Sequence, residues 1–353
     1  MLGPAGKETF FMDIFFSTDH VLHNPEKELH RGDMIAPHEG PYRMDLLVQG
    51  LNQAGFKTLL EPGQPDLSAL SVVHSEAYLQ FLQTAWDRWQ AAGYGGDVIG
   101  IGHPRGLRRE TPPVDIDGAT GYFSAASDTV ITKTSWQAAL AGVKCTLSAA
   151  QAVQSGAGSA FSLSRPPGHH AGRDYLCGYC FLNNAAIAAQ FFRDAGAQRV
   201  AVVDVDFHHG NGTQDIFYDR GDVLFTSLHG DPDHHYPYFW GHQDERGVGA
   251  GEGANINYPL RAGTDFGQWH DALKSALNDV SKFGADVLIV SLGVDTFEND
   301  PLSSFTIRTE DYYTYGQTLA GLDLPIVFVM EGGYGVPDVG TNVAGVLNGF
   351  LNA

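Results

Sequence analysis

Cysteine is scarce in this sequence: only Cys145, Cys177 and Cys180 occur in 353 residues. Three is too few, and too odd a number, for a disulfide framework in so long a chain, so a reducing, cytoplasmic location is the expectation. Long apolar runs are missing as well, and no stretch approaches the ~18 consecutive apolar residues that mark a membrane span. Basic residues are outnumbered, with 21 Lys and Arg against 41 Asp and Glu and a net charge of −20. That balance disfavours a nucleic-acid backbone or an anionic lipid surface as partner and suits a cationic ligand. The opening residues lack the basic start, apolar stretch and cleavage site of a secretory signal. Residues 1–11 read as a leader outside the core, Met12 as a candidate start, and residues 12–353 as one folded unit.

What is abundant is a repeated alternation of apolar runs with helical patterns. Ala160 to Leu163, Val200 to Val205, Val223 to Leu228, Val287 to Leu292 and Pro325 to Met330 suit strands buried on both faces. Phe15-Phe16-Ser17 reads as a first strand. Between the runs, Ala185 to Ala195 and Phe266 to Phe283 carry helical apolar spacing and are closed by Gly196 and Gly284. This order predicts an α/β fold on a mostly parallel sheet flanked by helices. The segment least like the rest is 84–113, where Trp86 and Trp89 lead into a Gly/Pro-rich stretch; it reads as an insertion loop.

Polar residues with chemistry collect directly after the apolar runs. Arg165-Pro-Pro-Gly-His169-His170, Asp204-Val-Asp206-Phe-His208-His209-Gly, Leu292-Gly-Val-Asp295 and Glu331-Gly-Gly-Tyr334-Gly each follow one. Ligands of parallel α/β sheets bind outside the strands' carboxyl ends, so four distant segments converge there on one expected site. Strand alternation places Asp204, Asp206 and His208 on one face. Adjacent carboxylates on an apolar strand are costly to bury without a cation. With Asp295 at the exit of a second strand, the set suits a catalytic divalent ion with an open position, zinc leading. The alternative is a carboxylate that caps loop amides or pairs with an arginine. Pro-Pro-Gly stiffens the backbone before His169-His170, whose imidazoles exchange protons near neutral pH. His209 points away from His208 and reads as structural. Glu331-Gly-Gly-Tyr334 lacks phosphate-loop and dinucleotide spacing, and its glycines leave Tyr334 able to aim a phenol at a reacting oxygen. Cys177-Gly-Tyr-Cys180 has no second pair, so neither a redox nor a structural-zinc role is expected of it.

RPPGHHAG, GYCFLNNAAIAA, VDVDFHHGNGTQDIF, SLGVDTFENDP and MEGGYGVP, in this order, resemble the histone deacetylase superfamily from about Asp13 to Gly349. LQTAWDRWQAAGYGG, VDIDG, SLHGDP and MEGGYGVPDVG narrow the likeness to bacterial acetylpolyamine amidohydrolases. The resemblance implies the arginase/deacetylase-type fold in a single domain. It implies metal ligands Asp206, His208 and Asp295 for Zn2+, with Fe2+ an alternative, His170 as general base and acid, His169 as electrostatic partner held by Asp204, and Tyr334 as the group polarising the acetyl carbonyl. Asn211 stands where some members carry the aspartate that orients this histidine. A structural K+ is implied at Asp204, Asp206, His208, Ser227 and Leu228, with a second near Phe217, Arg220 and Val223. Tyr179 and Tyr236 would wall the channel. Asp117 would meet the substrate ammonium; both it and Asp128 replace the glutamates usual in relatives. A homodimer through the 84–113 insertion would narrow the entrance.

The implied reaction is hydrolysis of the N-acetyl amide of a small acetylated polyamine such as acetylputrescine, acetylcadaverine or acetylspermidine. The same chemistry in a tunnel of this kind also suits an acetyl-lysine protein. A two-manganese ureohydrolase of arginase type wants Asp-x-His-x-Asp, whereas Asp206-Phe-His208 continues His-Gly-Asn. A binding protein without catalysis would not need His169, His170, Tyr334 and all three ligand positions together.

Overall fold

Residues 12–102, 109–335 and 337–353 are described by the computed structural model of the chain; the expected 1–11 leader lies outside them. The strands are β1 (Asp13–Phe15), β2 (Glu28–His30), β3 (Asp33–Ile35), β4 (Val98–Ile99), β5 (Val130–Ile131), β6 (Ser159–Ser162), β7 (Val200–Asp204), β8 (Val223–Gly230), β9 (Asn255–Leu260), β10 (Val287–Leu292) and β11 (Ile326–Met330). The helices are α1 (Tyr42–Gln53), α2 (Ser68–Val73), α3 (Glu76–Ala91), α4 (Ile116–Tyr122), α5 (Ser135–Gln154), α6 (Asn184–Asp194), α7 (Asn211–Phe217), α8 (Phe266–Phe283), α9 (Asp311–Ala320) and α10 (Val339–Leu351). The five expected apolar runs become β6, β7, β8, β10 and β11. The first strand forms at Asp13–Phe15, slightly before the expected Phe15-Phe16-Ser17.

Seven strands make one parallel sheet in the order β1-β6-β11-β10-β7-β8-β9. Its strands are near-continuously apolar because both faces are covered. Along β7, Val200 and Val202 enter one core with residues of α3, α5 and α6. Ala201 and Val203 enter the other, with residues of α1, α8, α9 and α10. On β10, Ile289 joins the first core while Leu288, Val290 and Leu292 join the second.

The helix ends follow from side-chain chemistry. An Asp265–Gln268 capping box opens α8, and Gly284 closes it at φ 71°, a left-handed conformation that costs glycine little. Asn183 caps α6 by accepting from the Ala186 amide at 2.9 Å. No described helix is long and apolar enough to cross a membrane.

The expected 84–113 insertion loop requires correction at its start. Residues 84–91 complete α3, where Ala85 is buried and Trp86 and Trp89 pack on the core at helical spacing. The helix turns off after Ala91, and Gly93 takes φ 82°. Residues 103–108 of this segment lie outside the described ones.

The sheet order also explains where a site can form. From β7 the chain proceeds outward to β8 and β9, whereas β10 and β11 are laid on the opposite side of β7. The segments leaving β7 and β10 therefore diverge, which opens a crevice at their carboxyl ends.

Candidate active site and metal centre

Alternation continues past the end of β7. Val203, Val205 and Phe207 all enter one core, and the Val205 amide donates to Ser291 O at 3.1 Å, extending the ladder toward β10. Asp204, Asp206 and His208 consequently face the other way. Asp295, three residues beyond β10, meets the last two, so donor atoms of Asp206, His208 and Asp295 lie within 4.8 Å of one another. His208 Nδ1 is 2.9 Å from Asp295 Oδ2 and 3.2 Å from Asp206 Oδ1. Backbone amides aim the carboxylates: Phe207 N donates to Asp295 Oδ1 at 2.7 Å, and Gly332 N to Asp206 Oδ2 at 2.8 Å.

This donor set fits a divalent cation. Asp206 and Asp295 are both fully buried, and among the described residues the cationic side chains bonded to them are histidines. Burial, then the Asp206 charge, pushes the Asp295 carboxyl up to about 8. Burial opposes charge on His208, yet its hydrogen bonds to Asp206 and Asp295 raise it to about 10. Two carboxylates and one imidazole competing for protons in a dry site is the electrostatics that a metal relieves.

The backbone leaves the carboxylates no spare room. A Cβ on Gly332 would lie 2.6 Å from Asp206 Oδ2 and 2.7 Å from Asp295 Oδ2. Gly332→Ala is therefore expected to displace both carboxylates and weaken divalent-metal affinity about 10- to 100-fold, the usual effect of disturbing ligand support. Chelator competition on the purified variant measures it, and unchanged affinity would disprove the arrangement.

The two histidines after β6 take different partners. His169 Nδ1 lies 3.0 Å from Asp204 Oδ2, and its backbone N donates to Glu331 Oε2 at 3.1 Å. Burial disfavours its charge, but Asp204 and Asp206 outweigh that and hold the imidazole up at about 10. His170 Nδ1 donates to Asn211 Oδ1 at 2.6 Å, a sense fixed because Asn211 Nδ2 donates to Tyr175 Oη. Nε2 of His170 is thereby left as the proton acceptor. Burial, then the neighbouring His169 and His208, lowers His170 well below the ordinary histidine range. One charged and one neutral imidazole stand 4.0 Å apart between ring centres.

Tyr334 arrives on the turn after β11, held by groups whose part in the site their residue types alone do not show. Asp300 Oδ2 accepts from the Tyr334 and Gly335 amides at 2.6 and 2.7 Å. Arg43, buried on α1, donates to Gly333 O and Glu331 O, both at 2.8 Å, and lies 4.7 Å from the Tyr334 ring centre. Glu39 accepts from Arg43 and from Arg165 at 2.9 and 2.7 Å. Despite burial, the two guanidiniums hold the Glu39 carboxyl down at about 2. The Glu39/Arg43 pair at i, i+4 is its only sequence signal.

A cavity of about 510 Å³ is lined by His170, His208, Tyr334, Tyr179, Tyr236 and Asp128, among others, and reaches solvent beside the exposed Phe239. Tyr179 and Tyr334 approach to 5.8 Å between ring centres, and Tyr236 meets His170 edge-on at 5.2 Å. Asp128, half-buried in the wall, accepts from the Gly178 amide at 3.1 Å. Asp117 does not join them: it stands exposed in the first turn of α4, which Asp115 caps, and outside the cavity lining.

His209 is buried against His229 and Phe225, away from the cavity. Cys177 Sγ lies 2.8 Å from Tyr236 Oη, and Cys180 Sγ donates to Gly178 O. Asp204 is the register partner of Ser227 on β8, next to Leu228. Phe217 and Arg220 lie at the end of α7 and just beyond it, and Val223 opens β8.

Residues 37–350 match the family model described as Histone deacetylase domain. The chain belongs to the histone deacetylase family. Within that family it is 49% identical over 340 residues to the acetylpolyamine amidohydrolase of Mycoplana ramosa, covering 96% of this chain and 99% of that protein. It is also 49% identical over 339 residues to acetylpolyamine amidohydrolase 2 of Pseudomonas aeruginosa, covering 96% and 98%. The crystal structure of acetylpolyamine aminohydrolase from Burkholderia pseudomallei superposes with a TM-score of 0.91 at 37% identity, covering 96% of this chain and 98% of that one.

Proposed function

We propose that this protein hydrolyses the N-acetyl amide of small acetylated polyamines, releasing acetate and the free amine. The observation that carries the reading is the convergence of a neutral His170, Tyr334 and the Asp206/His208/Asp295 donor set on one aromatic-walled cavity. The names of the similar Mycoplana and Pseudomonas proteins support the substrate class. A zinc ion held by Asp206, His208 and Asp295 supplies Lewis acidity toward water and the acetyl carbonyl. Iron(II) suits the same donors.

The chain's own groups do the proton work. His170 Nε2 takes a proton from the attacking water and returns it to the departing amine. His169, charged through Asp204, holds its neighbour in the neutral form. Tyr334 donates to the carbonyl oxygen as negative charge develops there. Tyr179 and Tyr236 pack the methylene chain between aromatic faces, and the half-buried Asp128 supplies negative potential for an ammonium end.

Two structural elements complete the reading. The β7 and β8 ends, where Asp204 and Ser227 pair, offer oxygen donors for a potassium ion, with Asp206, His208 and Leu228 completing the set. Pairing of two chains through the 84–113 segment narrows the entrance and brings Asp117 of one chain toward solvent near the other. The test is kcat/KM of zinc-loaded protein for N-acetylputrescine against an acetyl-lysine peptide in one buffer. At least tenfold preference for the small amine is expected, whereas preference for the peptide would replace the substrate and leave the proton chemistry in place.

A further inference from the structure

A second group of metal-ligating side chains meets at the edge of the cavity, away from the β7 and β10 ends. β2 and β3 form a hairpin in which His30 pairs with Asp33 across Arg31 and Gly32. Both turn residues take positive φ, 51° and 95°, as two-residue hairpins of this type require. Glu28 and His30, two apart on β2, share a face. The chain then returns past Ile35 and sets His38 against them.

Donor atoms of Glu28, His30 and His38 lie within 4.8 Å of one another. The two imidazoles meet edge-on, with ring centres 5.6 Å apart. Glu28 is only 1% exposed, and its Oε1 accepts from the Tyr179 hydroxyl at 3.0 Å. Its Oε2 is buried and, among the described residues, has no hydrogen-bond partner. Buried carboxylate oxygens are normally satisfied, so this one calls for a partner that the surrounding groups do not supply. Both histidines are half-buried, which leaves a route for an ion from solvent and room for the rings to turn. Two imidazoles and a carboxylate form a borderline donor set of the kind that zinc takes with bonds of about 2.0–2.2 Å.

We propose that Glu28, His30 and His38 bind a second divalent transition-metal ion, separate from the Asp206/His208/Asp295 centre. The ion takes the unused Glu28 oxygen and fixes the hairpin against the following loop. Through Oε1 of the same carboxylate it also fixes Tyr179, a wall of the cavity. His30 itself lines that cavity, so the ion places positive charge where a cationic substrate passes. The binding claim stands independently of the substrate reading.

The probe is Zn2+ alone, with bound metal measured by elemental analysis after equilibrium dialysis of the full chain, and Co2+ as a spectroscopic substitute. Two equivalents are expected for the unaltered protein and one each for His38→Ala and Asp295→Ala, with different Co2+ absorption bands lost in the two variants. A single saturable equivalent in the unaltered protein would overturn the proposal, as would two equivalents persisting in His38→Ala. Should His38→Ala lose both ions through misfolding, Glu28→Gln decides, because the amide keeps an acceptor for Tyr179: one equivalent supports the site and two refute it.

Discussion

His170→Ala is expected to lower kcat about 10³-fold, within the 10²- to 10⁴-fold range of general acid–base catalysis and equivalent to about 4 kcal/mol of barrier. The loss is larger than for a one-way proton transfer because the same Nε2 both accepts and returns a proton. Metal content is expected to stay unchanged, since His170 is not among the Asp206/His208/Asp295 donors. A pH profile separates this role from a packing role. His170 acts as base only when neutral, and burial with the adjacent His169 and His208 already holds it below the ordinary range. Asn211→Asp would replace the neutral acceptor at 2.6 Å with a charged one, which favours the imidazolium and raises the titration point. The acid limb of kcat/KM is therefore expected to move to higher pH in Asn211→Asp. A limb that stays in place, or near-normal turnover in His170→Ala, would take His170 out of the proton path.

Much of this architecture was legible because its physics is local. Strands covered on both faces must be almost wholly apolar, so β7, β8 and β10 stand out as Val200 to Val205, Val223 to Leu228 and Val287 to Leu292. Chemistry placed after each run follows from the geometry of parallel sheets, which is why Asp206, His208, Asp295 and Tyr334 are found as a set. What was not legible depends on tertiary partners. Asp300 sits inside SLGVDTFENDP, but its residue type alone does not show that its Oδ2 takes the amides of Tyr334, 34 residues away, and Gly335. Arg43 looks like an ordinary helix-surface cation until α1 packs it beneath Gly333. Trp86 and Trp89 preceded a glycine-rich stretch and read as its beginning, although their spacing continues that of Tyr78 and Leu82 on α3. Glu28, His30 and His38 escaped notice because the residues that join them form a tight hairpin without an apolar run.

Tyr334→Phe tests the other half of the reaction, the charge that collects on the acetyl oxygen. Removing one donor to a developing oxyanion typically costs 10²- to 10³-fold in kcat, about 2.7–4 kcal/mol. The substitution is clean here because, among the described residues, the groups that position the ring do so without the hydroxyl: Asp300 holds the backbone, and Arg43 stacks on the ring face at 4.7 Å. Phenylalanine keeps both contacts, so KM and metal content are expected to change little while kcat falls. Burial pushes the Tyr334 hydroxyl well above the ordinary tyrosine range, and the Arg43 charge only partly offsets this. The group thus remains a protonated donor across the working pH range, and the base-side limb of the profile should not shift in the variant. Near-normal turnover in Tyr334→Phe would instead mean that bound metal alone carries the oxyanion, and Arg43, Glu39 and Asp300 would then serve only to close the turn over Asp206.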